Sequence, residues 1–205
     1  MKIYIDFDGT LFNSKIQYQR LINIFKKYNI EEEYIKELMK EEFYQKEKSF
    51  DILTKKIIED KNLNKNILKE LNDIYKPDLI YPDVIPFLEK YQNKYELILL
   101  TLGNIEYQEK KIKASNLSKY FKDIIITNKD KSKLNINYEN SIFIDNNPKE
   151  LEKFYNSKAS HLIRIKRETD YYSKNPLNIK GIYEFKDFNQ LINSNYIDKI
   201  GENYE

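Results

Sequence analysis

Asp6-Phe7-Asp8-Gly9-Thr10 places two carboxylates, a glycine and a hydroxyl within five positions. The segment follows Ile3-Tyr4-Ile5, a β-branched and aromatic run that reads as a short strand stopped abruptly. A carboxylate at such a stop can act as a nucleophile and divide one hard displacement into two easier ones. A second acid two residues on can protonate a leaving oxygen and then activate water. Hydroxyls and backbone N–H groups at a glycine turn suit the oxygens of a phosphoryl group. Such chemistry needs partners from elsewhere in the chain.

Three further clusters supply them. Thr101, Leu102, Gly103 and Asn104 follow the apolar run Glu96-Leu97-Ile98-Leu99-Leu100. Thr127, Asn128, Lys129, Asp130 and Lys131 follow Ile124-Ile125-Ile126, and Asp145, Asn146 and Asn147 follow Ile142-Phe143-Ile144. In open parallel sheets ligands sit beyond the carboxyl ends of the strands, so the four clusters are expected on one rim. Together they suit metal-assisted phosphoryl transfer through an aspartyl phosphate. Mg²⁺ favours oxygen ligands and shields a carboxylate from an anionic substrate, while a lysine charge holds the phosphoryl oxygens.

The elements that must position these groups are legible as hydrophobic periodicity. From about Ser14 to Lys76 the pattern is helical, with stripes at Ile16, Leu21, Ile24, Phe25 and Tyr28, at Tyr34, Ile35, Leu38 and Met39, at Ile52, Leu53, Ile57 and Ile58, and at Leu63, Ile67, Leu68 and Leu71. This predicts three to four helices with no intervening strand. Pro77, Pro82 and Pro86 then punctuate the return. Helices at Val84–Tyr91, 105–116 and Pro148–Tyr155 alternate with the apolar runs, and Asn147 and Pro148 start the last of them. His161–Ile165 reads as a further strand, 181–185 as an edge strand and 187–195 as a closing helix. The alternation predicts an α/β fold: a Rossmann-like, doubly wound parallel sheet with right-handed crossovers and an inserted all-helical cap. The expected division is a catalytic core of residues 1–13 and 80–205 with a cap of 14–79.

These residues, in this order, resemble the haloacid dehalogenase-like (HAD) hydrolase superfamily. The resemblance rests on Asp6-Phe7-Asp8-Gly9-Thr10, on Thr101 after an apolar strand, on a lysine ahead of the last motif and on Ile144-Asp145-Asn146-Asn147-Pro148. It spans essentially the whole chain, and the helical insertion matches the cap that many members place after the first motif. It implies Asp6 as nucleophile and Asp8 as general acid/base. Thr101 and the N–H groups of Leu102 and Gly103 would bind phosphate. Mg²⁺ would be held by Asp6, the backbone carbonyl of Asp8 and Asn146, with Asp145 as an outer or alternative ligand. The lysine is Lys129, Lys131 or Lys133. Lys129 is favoured, because a Lys-Asp pair sixteen residues before the last motif resembles small carboxy-terminal-domain phosphatases, with Lys131 the alternative. Position 146, commonly aspartate in the superfamily, is asparagine here, as in those phosphatases.

Composition bounds the remaining possibilities. Lys, Ile, Asn and Tyr fill half of the 205 residues, a bias that matches AT-rich codons, so abundant lysine alone does not mark a nucleic-acid binder. With 35 basic and 33 acidic side chains evenly interspersed, no one-signed stripe is present. The absence of cysteine excludes disulfides and thiolate sites, and the single histidine, His161, excludes a multi-histidine metal centre. His161 reads as a structural residue at a strand start, and Arg164 and Arg167 as a solvated strand end, with reach to an anionic substrate the alternative. No apolar run is long enough to span a membrane. The expectation is a cytoplasmic monomer or homodimer: a Mg²⁺-dependent phosphatase for a small phosphorylated metabolite, such as a nucleotide or sugar phosphate. The alternatives are a phosphomutase on the same scaffold or a non-catalytic phosphate-binding or regulatory relative. A dehalogenase fits less well, because displacement at carbon has no need of Asp8.

Overall fold

The computed structural model describes residues 1–155 and 161–202. Six strands form one all-parallel sheet in the order β3-β2-β1-β4-β5-β6. They are β1 (Lys2–Ile5), β2 (Glu96–Leu102), β3 (Asp123–Thr127), β4 (Ser141–Asp145), β5 (His161–Ile165) and β6 (Tyr183–Phe185). The chain runs outward from β1 through β2 to β3, then returns to lay β4 against the other side of β1. Ile5 is thereby in register with Leu99 on one side and Ile144 on the other. This reversal opens a crevice at the carboxyl ends of β1 and β4, the place where doubly wound sheets bind ligands.

Strand alternation sends Ile3 and Ile5 to one face and Tyr4 to the other. The first face packs with Leu97, Leu99, Ile142 and Ile144 against α6 (Val84–Tyr91), α9 (Phe188–Asn193) and α10 (Tyr196–Glu202) through Phe87, Tyr91, Phe188 and Ile197. The second packs with Ile98, Leu100 and Phe143 against Leu151 and Phe154 of α8 (Pro148–Tyr155). Layers on both faces make the sheet Rossmann-like, as expected.

Between β1 and β2 lie α1 (Ser14–Lys26), α2 (Glu32–Lys40), α3 (Glu42–Glu47), α4 (Phe50–Asp60) and α5 (Ile67–Leu71). Their apolar faces gather in a separate cluster that includes Leu21, Phe25, Ile35, Leu53, Ile57 and Ile67. Tyr107 of α7 (Ile105–Ser115) joins this cluster and so ties it to the sheet layer. Five helices replace the three to four expected. The short α3 is set off by extended backbone at Glu41 and a left-handed Lys48, and it carries too few apolar positions for a stripe. The helix expected over 187–195 is α9, and after left-handed Asn195 a further helix, α10, follows beyond that range.

Candidate active site

β1 ends at Ile5, so Asp6 emerges at the crevice, and its N–H still donates to Ile144 O at 2.9 Å. Gly9 follows with φ +77°, a conformation open to glycine. A Cβ there would come 2.1 Å from Asn146 Nδ2 and 2.8 Å from Asp170 Oδ1, so the turn is closed against the β4 end. Thr10 Oγ1 clips the two strand ends together: it lies 3.1 Å from Asp6 Oδ2, accepts from Asn146 N at 3.1 Å and lies 3.4 Å from Asn146 Oδ1.

The lysine at Asp6 is Lys131, and the favoured Lys129 is not in the site. Lys131 Nζ donates to Asp6 Oδ1 at 2.6 Å and to Asp145 Oδ2 at 2.9 Å, with its side chain 2% exposed. Lys129 is exposed, and its backbone closes a small turn on the Thr127 hydroxyl. The reason is the 3₁₀ turn Lys131–Lys133, which Asp130 caps by accepting from Ser132 N and Ser132 Oγ. That turn rotates Lys131 inward, and Tyr138 holds its carbonyl from behind. Lys133 is exposed.

Two buried carboxylates thus share one cation. Burial, and then the charge of Asp145, push Asp6 well above the ordinary carboxyl range against the pull of Lys131. Asp145 is also raised by burial; its other oxygen accepts from Asn147 N at 2.8 Å, so both oxygens are spent on holding the strand end. Asp145 therefore anchors Lys131.

Asp8 is held in a different manner. Its carboxylate accepts from Lys111 Nζ at 2.5 and 2.7 Å, Gln108 Nε2 at 2.7 Å and Ser14 Oγ at 2.7 Å. Burial opposes its ionisation, but the Lys111 charge and these bonds prevail and hold the carboxyl below its usual range. Lys111 is itself 2% exposed, with its ammonium within 5.5 Å of the ring centroids of Phe7, Phe12 and Tyr107. Sequence reasoning missed Ser14, Gln108 and Lys111. One signal was available: Tyr107, Gln108, Lys111 and Ile112 share one helical face, which puts a lysine inside an apolar stripe.

Thr101 lies at the β2 end with its hydroxyl buried and, among the described residues, without a hydrogen-bond partner. Gly103 departs from expectation. Its N–H donates to Thr127 O at 2.8 Å, continuing the β2–β3 ladder, and so is not free for a phosphoryl oxygen. The Leu102 carbonyl lies 3.4 Å from Gln108 Nε2. Arg164 and Arg167 form no solvated strand end; both are buried. Arg164 pairs with Glu184 at 2.6 Å and donates to Asn146 O at 3.2 Å, while Arg167 pairs with Asp83 at 2.8 Å and donates to Thr10 O at 2.9 Å. Both brace the rim.

A cavity of about 340 Å³ opens at this rim, lined among others by Asp8, Gly9, Tyr44, Lys111, Asn146 and Asp170. A neighbouring hollow of about 620 Å³ shares Lys48, Leu102 and Gly103 with it. Tyr44 and Lys48 reach in from the helical block, so both layers build the wall.

Among the described residues no three His, Cys, Asp or Glu side chains assemble to hold a metal by themselves. Asp6 Oδ2 and Asn146 Oδ1, however, both face the single hydroxyl proton of Thr10, so one of them lacks a donor. With two acids sharing one lysine, Asp6 holds its proton well above the ordinary range, a proton that a cation can replace. Such oxygens fit Mg²⁺.

A haloacid dehalogenase-like hydrolase family model matches residues 3–152. The chain belongs to the haloacid dehalogenase-like hydrolases. Solved structures share this fold at low identity. A HAD phosphatase from Thermococcus onnurineus is 20% identical, with a TM-score of 0.63, over 95% of this chain and 97% of that one. YfnB from Bacillus subtilis, solved bound to magnesium, is 13% identical with a TM-score of 0.61, over 94% and 97%. The L-2-haloacid dehalogenase RSc1362 is 14% identical with a TM-score of 0.63, over 94% and 97%. No curated protein matches the chain at a significant level. Relatives this distant establish the HAD fold and leave the substrate to the site itself.

Proposed function

We propose that this HAD hydrolase is a Mg²⁺-dependent phosphatase that hydrolyses a small phosphomonoester through an aspartyl phosphate on Asp6. The observation that carries this reading is the pairing of Asp6 with a second acid two residues on, each held by a different buried lysine. Displacement at a haloacid carbon needs no acid for its halide leaving group. Phosphate-ester hydrolysis needs a group that exchanges protons with the leaving oxygen and with water.

Lys131 fixes Asp6 and offers positive charge beside the attacking oxygen. The unpartnered Thr101 hydroxyl is available to donate to a phosphoryl oxygen. Asp6 and the Asn146 amide oxygen would hold Mg²⁺, with the Asp8 carbonyl as the third oxygen that the family resemblance implies. Bound there, the ion would supply shielding between the Asp6 carboxylate and the phosphate dianion. Asp8 as placed is an anion, suited to take a proton from the water that opens the aspartyl phosphate. To act first as the acid it must receive a proton and loosen from Lys111. The helical block covers the site, which restricts bulky substrates and limits water. Small metabolites such as nucleotide or sugar phosphates fit that restriction, in a cytoplasmic enzyme.

The test is a panel of phosphomonoesters, with 2-haloacids as controls, assayed with Mg²⁺ or EDTA for wild type and Asp6→Asn. Metal-dependent phosphate release that falls on the order of 10⁴-fold in the variant supports the proposal. Metal-independent halide release with an inactive phosphate panel overturns it.

A further inference from the structure

Asn146 brings an oxygen to the cation position but no charge, and Asp6 shares its charge with Lys131. An amide also has two orientations, of which only one presents oxygen to the site. Both difficulties meet one residue. Asp170 Oδ2 accepts from Asn146 Nδ2 at 2.6 Å. With the amide turned over, two acceptor oxygens would face each other across that distance, so Asp170 sets Asn146 Oδ1 inward, toward Thr10 and Asp6.

The segment carrying Asp170 is built onto the strand ends. Asp170 Oδ2 also accepts from Tyr172 N at 3.1 Å, and Asp170 N donates to Arg167 O at 3.2 Å. Arg164 bridges Asn146 O and Tyr172 O at 3.2 and 2.6 Å, and Arg167 reaches Thr10 O. The two arginines thus clamp this segment to the ends of β1 and β4. The nearness of Asp170 Oδ1 to Gly9 puts its carboxylate in the wall of the same cavity.

We propose that Asp170 is a positioning residue for the cation site: it orients the Asn146 amide and lends the negative charge that asparagine lacks. The inference rests on the Mg²⁺ reading above.

It is tested by titrating Mg²⁺ alone into wild type, Asp170→Asn, Asn146→Asp and the double variant N146D/D170N, by isothermal calorimetry. D170N is expected to raise the Mg²⁺ Kd at least about tenfold, in the range found when groups supporting metal ligands are removed. The double variant exchanges amide and carboxylate and keeps a hydrogen bond between them, so it is expected to return to within about threefold of wild type. Wild-type affinity in D170N overturns the inference, as does a double variant no tighter than D170N, which would mark Asp170 as merely structural. Should D170N fail to fold, Asp170→Ser carries the same comparison, alone and with N146D. A wild type that binds no Mg²⁺ overturns the metal reading and this inference together; wild-type binding matched by D170N overturns this inference alone.

Discussion

Asp6 and Asp8 stand two positions apart yet have opposite electrostatics, and the difference lies in which lysine each meets. Asp6 shares Lys131 with Asp145 and is raised, whereas Asp8 has Lys111 to itself, with two further donors, and is lowered. Removing Lys111 therefore has a signed consequence. Without that charge Asp8 binds its proton at higher pH, so the anion that takes a proton from the attacking water is lost sooner on acidification. Lys111→Met is expected to move the acid limb of aspartyl-phosphate hydrolysis, followed in single-turnover kinetics, up by about one to three pH units; an unmoved limb would separate Lys111 from the chemistry. Lys131→Met leaves two buried carboxylates without a counter-charge and is expected to cost about 3–5 kcal/mol in urea denaturation. Lys129→Met should leave both activity and stability within the range of ordinary surface changes. Three lysines at 129, 131 and 133 among 32 in the chain are indistinguishable by type; only the 3₁₀ turn at Lys131–Lys133 selects one.

Strand ends and their following turns do the positioning at the next scale. The β1 turn works because Gly9 takes a positive φ in a space that a methyl group would overfill. Gly9→Ala is expected to cost at least about 1 kcal/mol from the backbone alone, and to displace Asn146, so turnover falls more than stability does. Arg167 joins the segment after β5 to Asp83 at the start of α6, with both side chains buried. Arg167→Met strands Asp83 and is expected to lower stability by about 3–5 kcal/mol, read from the denaturation midpoint. These braces were invisible in the sequence. Arg164 and Arg167 look like the solvated end of a strand until β6 and α6 are folded against them. The long amphipathic helices were legible because each carries its own stripe. The six-residue α3 was not, because one and a half turns give too few apolar positions to set a period.

For the whole molecule, the site is a seam between two packed bodies of side chains. Tyr44 and Lys48 come from the helical block, Tyr107, Gln108 and Lys111 from α7, and Asp6, Thr101, Lys131 and Asn146 from the sheet rim or the turns beside it. On the proposed Mg²⁺ reading the ligands Asp6 and Asn146 join the ends of β1 and β4, which ties global stability to the ion. Mg²⁺ at one hundred times its Kd is expected to add about 2.7 kcal/mol, a rise in Tm of about 5–11 °C for a chain of this size. EDTA should reverse it, and a Tm indifferent to Mg²⁺ would count against the site.

Sequence alone determined the alternation of strands and helices, and the four clusters that follow strands, because hydrophobic period and turn chemistry are local properties. It also singled out Gly9 and Gly103, two of only four glycines in a chain whose composition is dominated by Lys, Ile, Asn and Tyr. Strand order was a tertiary decision. Only the return of β4 to the side of β1 makes Asp6 and Asn146 neighbours, across 140 residues of chain. Tertiary packing likewise chose Lys131 over Lys129, spent the Gly103 N–H on the β2–β3 ladder, and set Asp170 against Asn146. A side chain's surroundings depend on contacts distant in sequence, and no residue carries those in its own type.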